Sequence, residues 1–303
     1  MTVAKKKKWA NLDKREATKG ILLTSPAIIL LTVFTIYPIF FNIYSSLFDG
    51  SLISQTRNFV GLDMYARLIN SVDFHRTVRN TVLYSVGLVS VLMTLSTLFA
   101  VWINSKKQKR LNDLTMAAAF TPHIISLVSV SSVFLWLMHP DNGIINHVIT
   151  SLGLPAFPFL ASPRTALASL VMMMIWKTFG FYSLLILAAL QMVPRELYEA
   201  AELDRTSRAK VFFRITLPMI SPTLFFTTIV ATINSFQVFE AVNLMTQGGP
   251  IHSTNTMVFL IYSHAFRFMR LGEASAVAVV LLGFVGILTA VYFIFLGKKV
   301  HYK

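Results

Sequence analysis

Few side chains in this sequence have the type and spacing to do chemistry, and the spacing narrows what that chemistry is. His123, His139, His147, His252, His264 and His301 are scattered without metal-ligand spacing, so they are expected in loops or at interfaces and no metal centre is expected. The sequence has no G-x-x-x-x-G-K-[ST] phosphate loop, no H-E-x-x-H pair and no carboxylate pair in a hydrolytic setting. It is therefore expected to be no enzyme and to hold no cofactor of its own. What remains are polar groups set in apolar runs, and one charged stretch between two apolar ones. Asn234 and Gln237 flank Phe236, and their spacing puts both amides on one side of a helix, with Thr227 and Ala241 expected along the same side. An amide facing lipid is costly, so that side faces a polar path or a helix-to-helix hydrogen bond. Lys177 interrupts another apolar run beside Trp176 and Phe179. It reads either as part of such a path or as a lysine snorkelling to the outer interface.

Those runs dominate the chain. Of 303 residues, 55% are hydrophobic and 13% charged, and the mean hydropathy of +0.64 excludes an ordinary soluble domain. With no cysteine, the sequence offers neither a disulfide framework nor a thiolate metal site. A bilayer core takes about 20 apolar residues per helix. Six segments reach that length: Gly20 to Tyr44, Thr81 to Asn104, Leu114 to Met138, Thr165 to Gln191, Met219 to Phe239 and Ala274 to Leu296. The first is too long for a signal peptide and lacks a small-x-small cleavage pattern, so it reads as a retained span. In the third, Ser126, Ser129 and Ser132 recur every third residue and read as a close-packing stripe, while Met172 to Met174 read as adaptable filler.

The net charge of +14 is mostly topology. With the N-terminus inside, nineteen basic residues fall on the cytoplasmic side, in the tail (Lys5 to Lys8, Lys14, Arg15, Lys19), two connections (Lys106, Lys107, Lys109, Arg110; Arg195, Arg205, Arg208, Lys210, Arg214) and the end (Lys298, Lys299, Lys303). Arg57, Arg67, Arg76, Arg79, Arg164, Arg267 and Arg270 remain outside. Both termini are thus expected in the cytoplasm, with residues 1–19 as a basic tail touching membrane lipid, and no nucleic-acid partner is expected. The charged stretch "EAAELDRTSRAKVFFRITLP", Glu199 to Pro218, then lies in the connection between the fourth and fifth spans. Pro194 suits a first helical position, and Glu196, Glu199 and Glu202 follow near the positive end of the helix dipole. Leu197, Ala200, Ala201 and Asp204 recur at helical spacing, as if small side chains shared one face. A second short helix with Arg208, Lys210 and Arg214 is expected to run to Pro218, where the chain turns back into the bilayer.

This stretch resembles the signature of permease subunits of binding-protein-dependent ABC importers, E-A-A, three residues, G, nine residues, I-x-L-P. Here it reads Glu199, Ala200, Ala201, then Asp204 and Arg205 in sequence, and after nine residues Ile215, Thr216, Leu217 and Pro218, with arginine in the glycine's place. A glycine there allows positive φ; Arg205 either strains the turn, shifts it or is held by a partner. "TQGGP" at Thr246 to Pro250 and "EASA" at Glu273 to Ala276 resemble the sugar-uptake branch, and "SPAIILLTVFTIYPIFFNIYSSLFD" is similar to the first-named permease of such systems. The resemblance implies an all-α type I importer fold of six spans over residues 20–303, in a bacterial-type cytoplasmic (inner) membrane. It implies a coupling loop at about 192–218, whose residues Glu199, Ala200, Ala201, Asp204, Arg205, Ile215, Leu217 and Pro218 meet a cytoplasmic ATPase. The implied partners are a second permease, two ATPase subunits carrying ATP and Mg, and an extracytoplasmic sugar-binding protein meeting Ser45 to Arg79 and Glu240 to Glu273. On this reading the sugar passes Asn234, Phe236, Gln237 and Lys177. The alternatives are another solute such as glycerol phosphate, or a secondary transporter using Lys177 and Glu240 as coupling charges.

Overall fold

A computed structural model describes residues 14–50, 58–105 and 108–296. The expected basic clusters at Lys5 to Lys8, Lys106, Lys107, Lys298, Lys299 and Lys303, with Arg57, lie outside the described residues. Among the described residues, four helices are long and apolar enough to cross a membrane: Thr18–Ser45, Val72–Asn104, Ala166–Gln191 and Leu271–Ile294. Two bent pairs, Arg110–Ile124 with Leu127–Leu137 and Arg208–Met219 with Ser221–Phe236, bring the number to six if each pair is one span. They are called the first to sixth spans below, in chain order.

The spans differ from their apolar runs in physically readable ways. The second starts at Val72 rather than Thr81, because Ser71 caps it through Oγ to the Phe74 amide at 3.4 Å and Asp73 sits in the first turn. Its polar opening turns extend a helix of 33 residues, about 50 Å long by helical rise, beyond a hydrocarbon core of about 30 Å. The third, one apolar run in the sequence, is two helices. Pro122 lies in the last turn of the first half, Ile125 and Ser126 are extended, and the second half leaves at 96°. The fifth bends by 70° at Ile220, two residues past Pro218, so Pro218 is not the turning point. Its helix stops at Phe236 instead of Phe239 and resumes as the short helix Glu240–Met245. One-turn π segments at Thr32–Ile36 and Phe212–Thr216 end just before Pro38 and Pro218, where a missing N–H disturbs the helical ladder.

The second and fourth spans form the centre, with the first half of the third against the fourth and the fifth against the second. Tyr84, Leu88 and Leu92 meet Leu170, Met173 and Tyr182 in the largest buried cluster. At Gly180 of the fourth span an added Cβ would stand 2.0 Å from the Ala119 carbonyl oxygen, so two backbones cross there at a distance only glycine permits. The Glu240–Met245 helix packs on Leu127–Leu137, which joins the C-terminal parts of the two broken spans. A two-residue antiparallel pairing, Phe48 opposite Phe59, joins the segments after the first span, and Gly272 at the start of the sixth lies against the Phe48 carbonyl. Among the described residues, the first span's main contact with its own protomer lies near its end, through Tyr37–Ser45 against the sixth, and none of its most apolar window is buried.

Candidate functional site

Two places bring the singled-out residues together. The charged connection folds as the helices Arg195–Leu203 and Arg208–Met219, joined by Asp204 to Ser207. Pro194 is the residue before the first helix, in extended conformation, rather than its first helical residue. Arg205 has φ 49, so the turn keeps its register on the arginine. The Thr206 amide donates to the Ala201 carbonyl at 2.9 Å and the Arg205 amide to the Glu202 carbonyl at 3.0 Å, the paired bonds of a glycine-type helix stop. This geometry accounts for glycine in the signature.

The alanines do not share a face. Ala201 is buried against the protomer, while Glu199, Ala200 and Asp204 are exposed. Tyr198, on the inward side, meets the Thr216 hydroxyl at 3.3 Å and ties the two helices together, with Ile215, Leu217 and Pro218 half-buried at the root. The outward side carries Glu196, Glu199, Ala200 and Leu203, the last 85% exposed. The knob stands off the spans across an open cavity of about 1430 Å³, walled by Asn112, Asp113 and Gln191 on one side and Arg195, Glu202 and Arg208 on the other.

Because a glycine type of turn holds an arginine, Arg205→Gly is expected to stabilise the purified protein by about 1 kcal/mol, read as a higher melting temperature. A large drop in melting temperature together with loss of the ATPase that the resemblance implies as a partner would show instead that the side chain makes a needed contact.

The second place is the break after Phe236. Asn234 and Gln237 are exposed and continue an open stripe from Phe226 on the fifth span. The rest of the expected face is elsewhere: Phe236 is 4% exposed, Thr227 1% and Ala241 0%, all turned into the protomer. Phe236 therefore offers no ring beside the two amides. Lys177 does not snorkel. It is buried, and Nζ donates to the carbonyls of His123 at 3.2 Å and Ile125 at 2.7 Å, at the third-span break. Ser126, Ser129 and Ser132 are exposed, so the expected packing stripe makes no seam within the protomer.

Sequence reasoning missed what holds these breaks. Thr256 donates to the Val238 carbonyl, freed where the fifth span stops, at 3.2 Å. Asn80 of the second span donates to the carbonyls of His252 at 2.9 Å and Asn255 at 3.2 Å, and the Thr81 hydroxyl accepts from the Met257 amide at 3.0 Å. These bonds clamp the loop that begins at the quoted "TQGGP", where Gln247, Gly248, Ile251 and His252 all have positive φ. The only sequence signal was polar residues interrupting an apolar span, which does not name a partner 172 residues away.

Residues 92–300 match the family described as "Binding-protein-dependent transport system inner membrane component". The chain belongs to this family. It is similar to the sulfoquinovosyl glycerol transport system permease protein SmoG of Agrobacterium fabrum, 34% identical over 291 residues that cover 94% of this chain and 92% of the relative. It is also similar to the lactose transport system permease protein LacF of Rhizobium radiobacter, 32% identical, with 94% and 96% covered. A permease chain in the crystal structure of a bacterial alginate ABC transporter, in complex with an alginate pentasaccharide-bound periplasmic protein, superposes with a TM-score of 0.80 at 26% identity, covering 97% of this chain and 99% of that one. The fold is that of the type I importer permeases, all-α and multi-spanning. The protein is thus a multi-pass inner-membrane permease half of an ABC importer, coupled to a cytoplasmic ATPase and not itself catalytic. Family membership also overturns the secondary-transporter alternative.

Proposed function

We propose that this permease imports a carbohydrate, and that the solute passes the face of the fifth span bearing Asn234 and Gln237. The observation that carries this reading is the break after Phe236, which leaves two amides exposed beside an interrupted helix. Broken helices in transporters place irregular backbone where it lines a cavity, and amides with free donors and acceptors suit sugar hydroxyls. The relatives named for a glycosyl glycerol and lactose, and the alginate transporter, support the solute class. A second permease closes the path on the open stripe and on the first span, whose most apolar stretch its own protomer leaves uncovered. Both termini and residues 192–218 are cytoplasmic, following the positive residues. There the knob meets one of two ATPase subunits through Glu199, Ala200 and Leu203, while Ala201, Asp204, Arg205, Ile215, Leu217 and Pro218 shape and root it. An extracytoplasmic sugar-binding protein delivers solute to the opposite side.

Uptake of a radiolabelled oligosaccharide by cells with and without the gene tests the solute class. Unlabelled disaccharides or oligosaccharides should compete and glycerol 3-phosphate should not. Competition by glycerol 3-phosphate alone would replace the carbohydrate reading with the phosphate one.

A further inference from the structure

A helix that stops inside a bilayer leaves carbonyls without partners, and no water is there to take them. The third span stops at Ile124 and resumes at Leu127. The carbonyls of His123 and Ile125, on either side of that stop, are both taken by one side chain from another span, the Lys177 ammonium. Lys177 lies one helical turn from Gly180, where the two spans are in backbone contact. The His123 ring stacks on Phe181 with centroids 4.5 Å apart and planes 9° from parallel, which fixes the same corner from a second direction. Past the corner, Leu127–Leu137 carries the Glu240–Met245 helix, which resumes the fifth span just after Gln237.

We propose that Lys177 is a positioning residue for transport, whose ammonium sets the 96° bend of the third span and, through the packed C-terminal parts, the break carrying Asn234 and Gln237. The transport part of this inference rests on the proposed path; the bend itself does not. Both bonds of the ammonium go to main chain, so the charge is spent on backbone rather than offered to a solute. An apolar side chain of similar length would fill the same space and leave both carbonyls bare.

The chain has no cysteine, so spin labels can be placed at Leu114→Cys and Leu135→Cys, both exposed, on the two halves of the third span in the assembled transporter. Helical rise gives a separation of about 20 Å for the bent span and about 30 Å for a straight one. Lys177→Met is expected to broaden the distribution toward the longer distance and to lower the uptake rate about tenfold or more, with the concentration of loaded binding protein at half-maximal rate unchanged. Lys177→Arg, which keeps a cation and its donors, should restore both. If Lys177→Met fails to reach the membrane, Lys177→Gln is read in the same way. A wild-type distance distribution in the methionine or glutamine variant overturns the proposal. Lost uptake with an unchanged bend would identify a solute contact instead, and a moved bend with normal uptake would remove the path through Asn234 and Gln237 while leaving the brace.

Discussion

Glu199→Lys is expected to leave a folded, membrane-inserted protein that no longer stimulates ATP hydrolysis when the loaded binding protein is added. Glu199 is exposed on the outer side of the Arg195–Leu203 helix, so a substitution there should change folding by no more than about 0.5 kcal/mol. At a docking surface the same change replaces an attractive charge by a repulsive one, and such reversals cost several kcal/mol of association, enough to lower the stimulated rate about a hundredfold. Neighbouring Leu203 is 85% exposed, and on the proposed docking face Leu203→Asp should act in the same direction. ATPase rates of the reconstituted complex, with melting temperature as the folding control, decide the matter. Wild-type stimulation by Glu199→Lys would mean that the outward face of the knob is not where the ATPase docks.

Gly180→Ala should be severely destabilising, which is the reverse of what alanine does in an open helix. Alanine favours a helix over glycine by about 1 kcal/mol when nothing stands in its way. At Gly180 the new carbon would meet the Ala119 carbonyl oxygen at 2.0 Å, its carbon at 2.3 Å and the Phe120 nitrogen at 2.6 Å. All three are backbone atoms, so the fourth span and the first half of the third must move apart, at a cost of about 3 kcal/mol or more. Gly283→Ala and Gly286→Ala, with nothing within 4 Å in the sixth span, provide the contrast and should leave stability equal or higher. Melting temperatures and the yield of folded protein report the difference. Equal behaviour of the three alanine variants would show that the crossing at Gly180 is looser than described.

Much of this architecture is legible in the sequence, because apolar length and charged connections are one-dimensional signals. Each of the six apolar runs overlaps one of the four long helices or one of the two bent pairs, and the signature spacing located the knob and its turn at Arg205. Bends were not legible. Pro122 and Pro218 announce weak points in a helical ladder, yet one is followed by a 96° bend and the other by a 70° bend two residues later, and at the first a side chain of another span takes the freed carbonyls. Facing was only half legible. Helical spacing grouped Ala200 with Ala201 and Phe236 with the two amides, but which side is buried depends on where another span crosses. Lys177 shows the same limit: its sequence context marks an exceptional residue, and only the fold shows that its partners are main-chain carbonyls 52 and 54 residues back.

The path along the fifth span is tested most directly by solvent access. Single cysteines introduced from Ile233 to Ala241 in this cysteine-free chain would be labelled with a small hydrophilic thiol reagent in the assembled transporter, with and without loaded binding protein and ATP. The account predicts strong labelling at Asn234 and Gln237, protection at Ser235, Phe236, Val238 and Ala241, which are buried, and a change at the two exposed positions when sugar and nucleotide are present. Protection of Asn234 and Gln237 in every state, with uptake unchanged when both are replaced by alanine, would contradict it and leave the two amides as interhelical hydrogen-bonding residues.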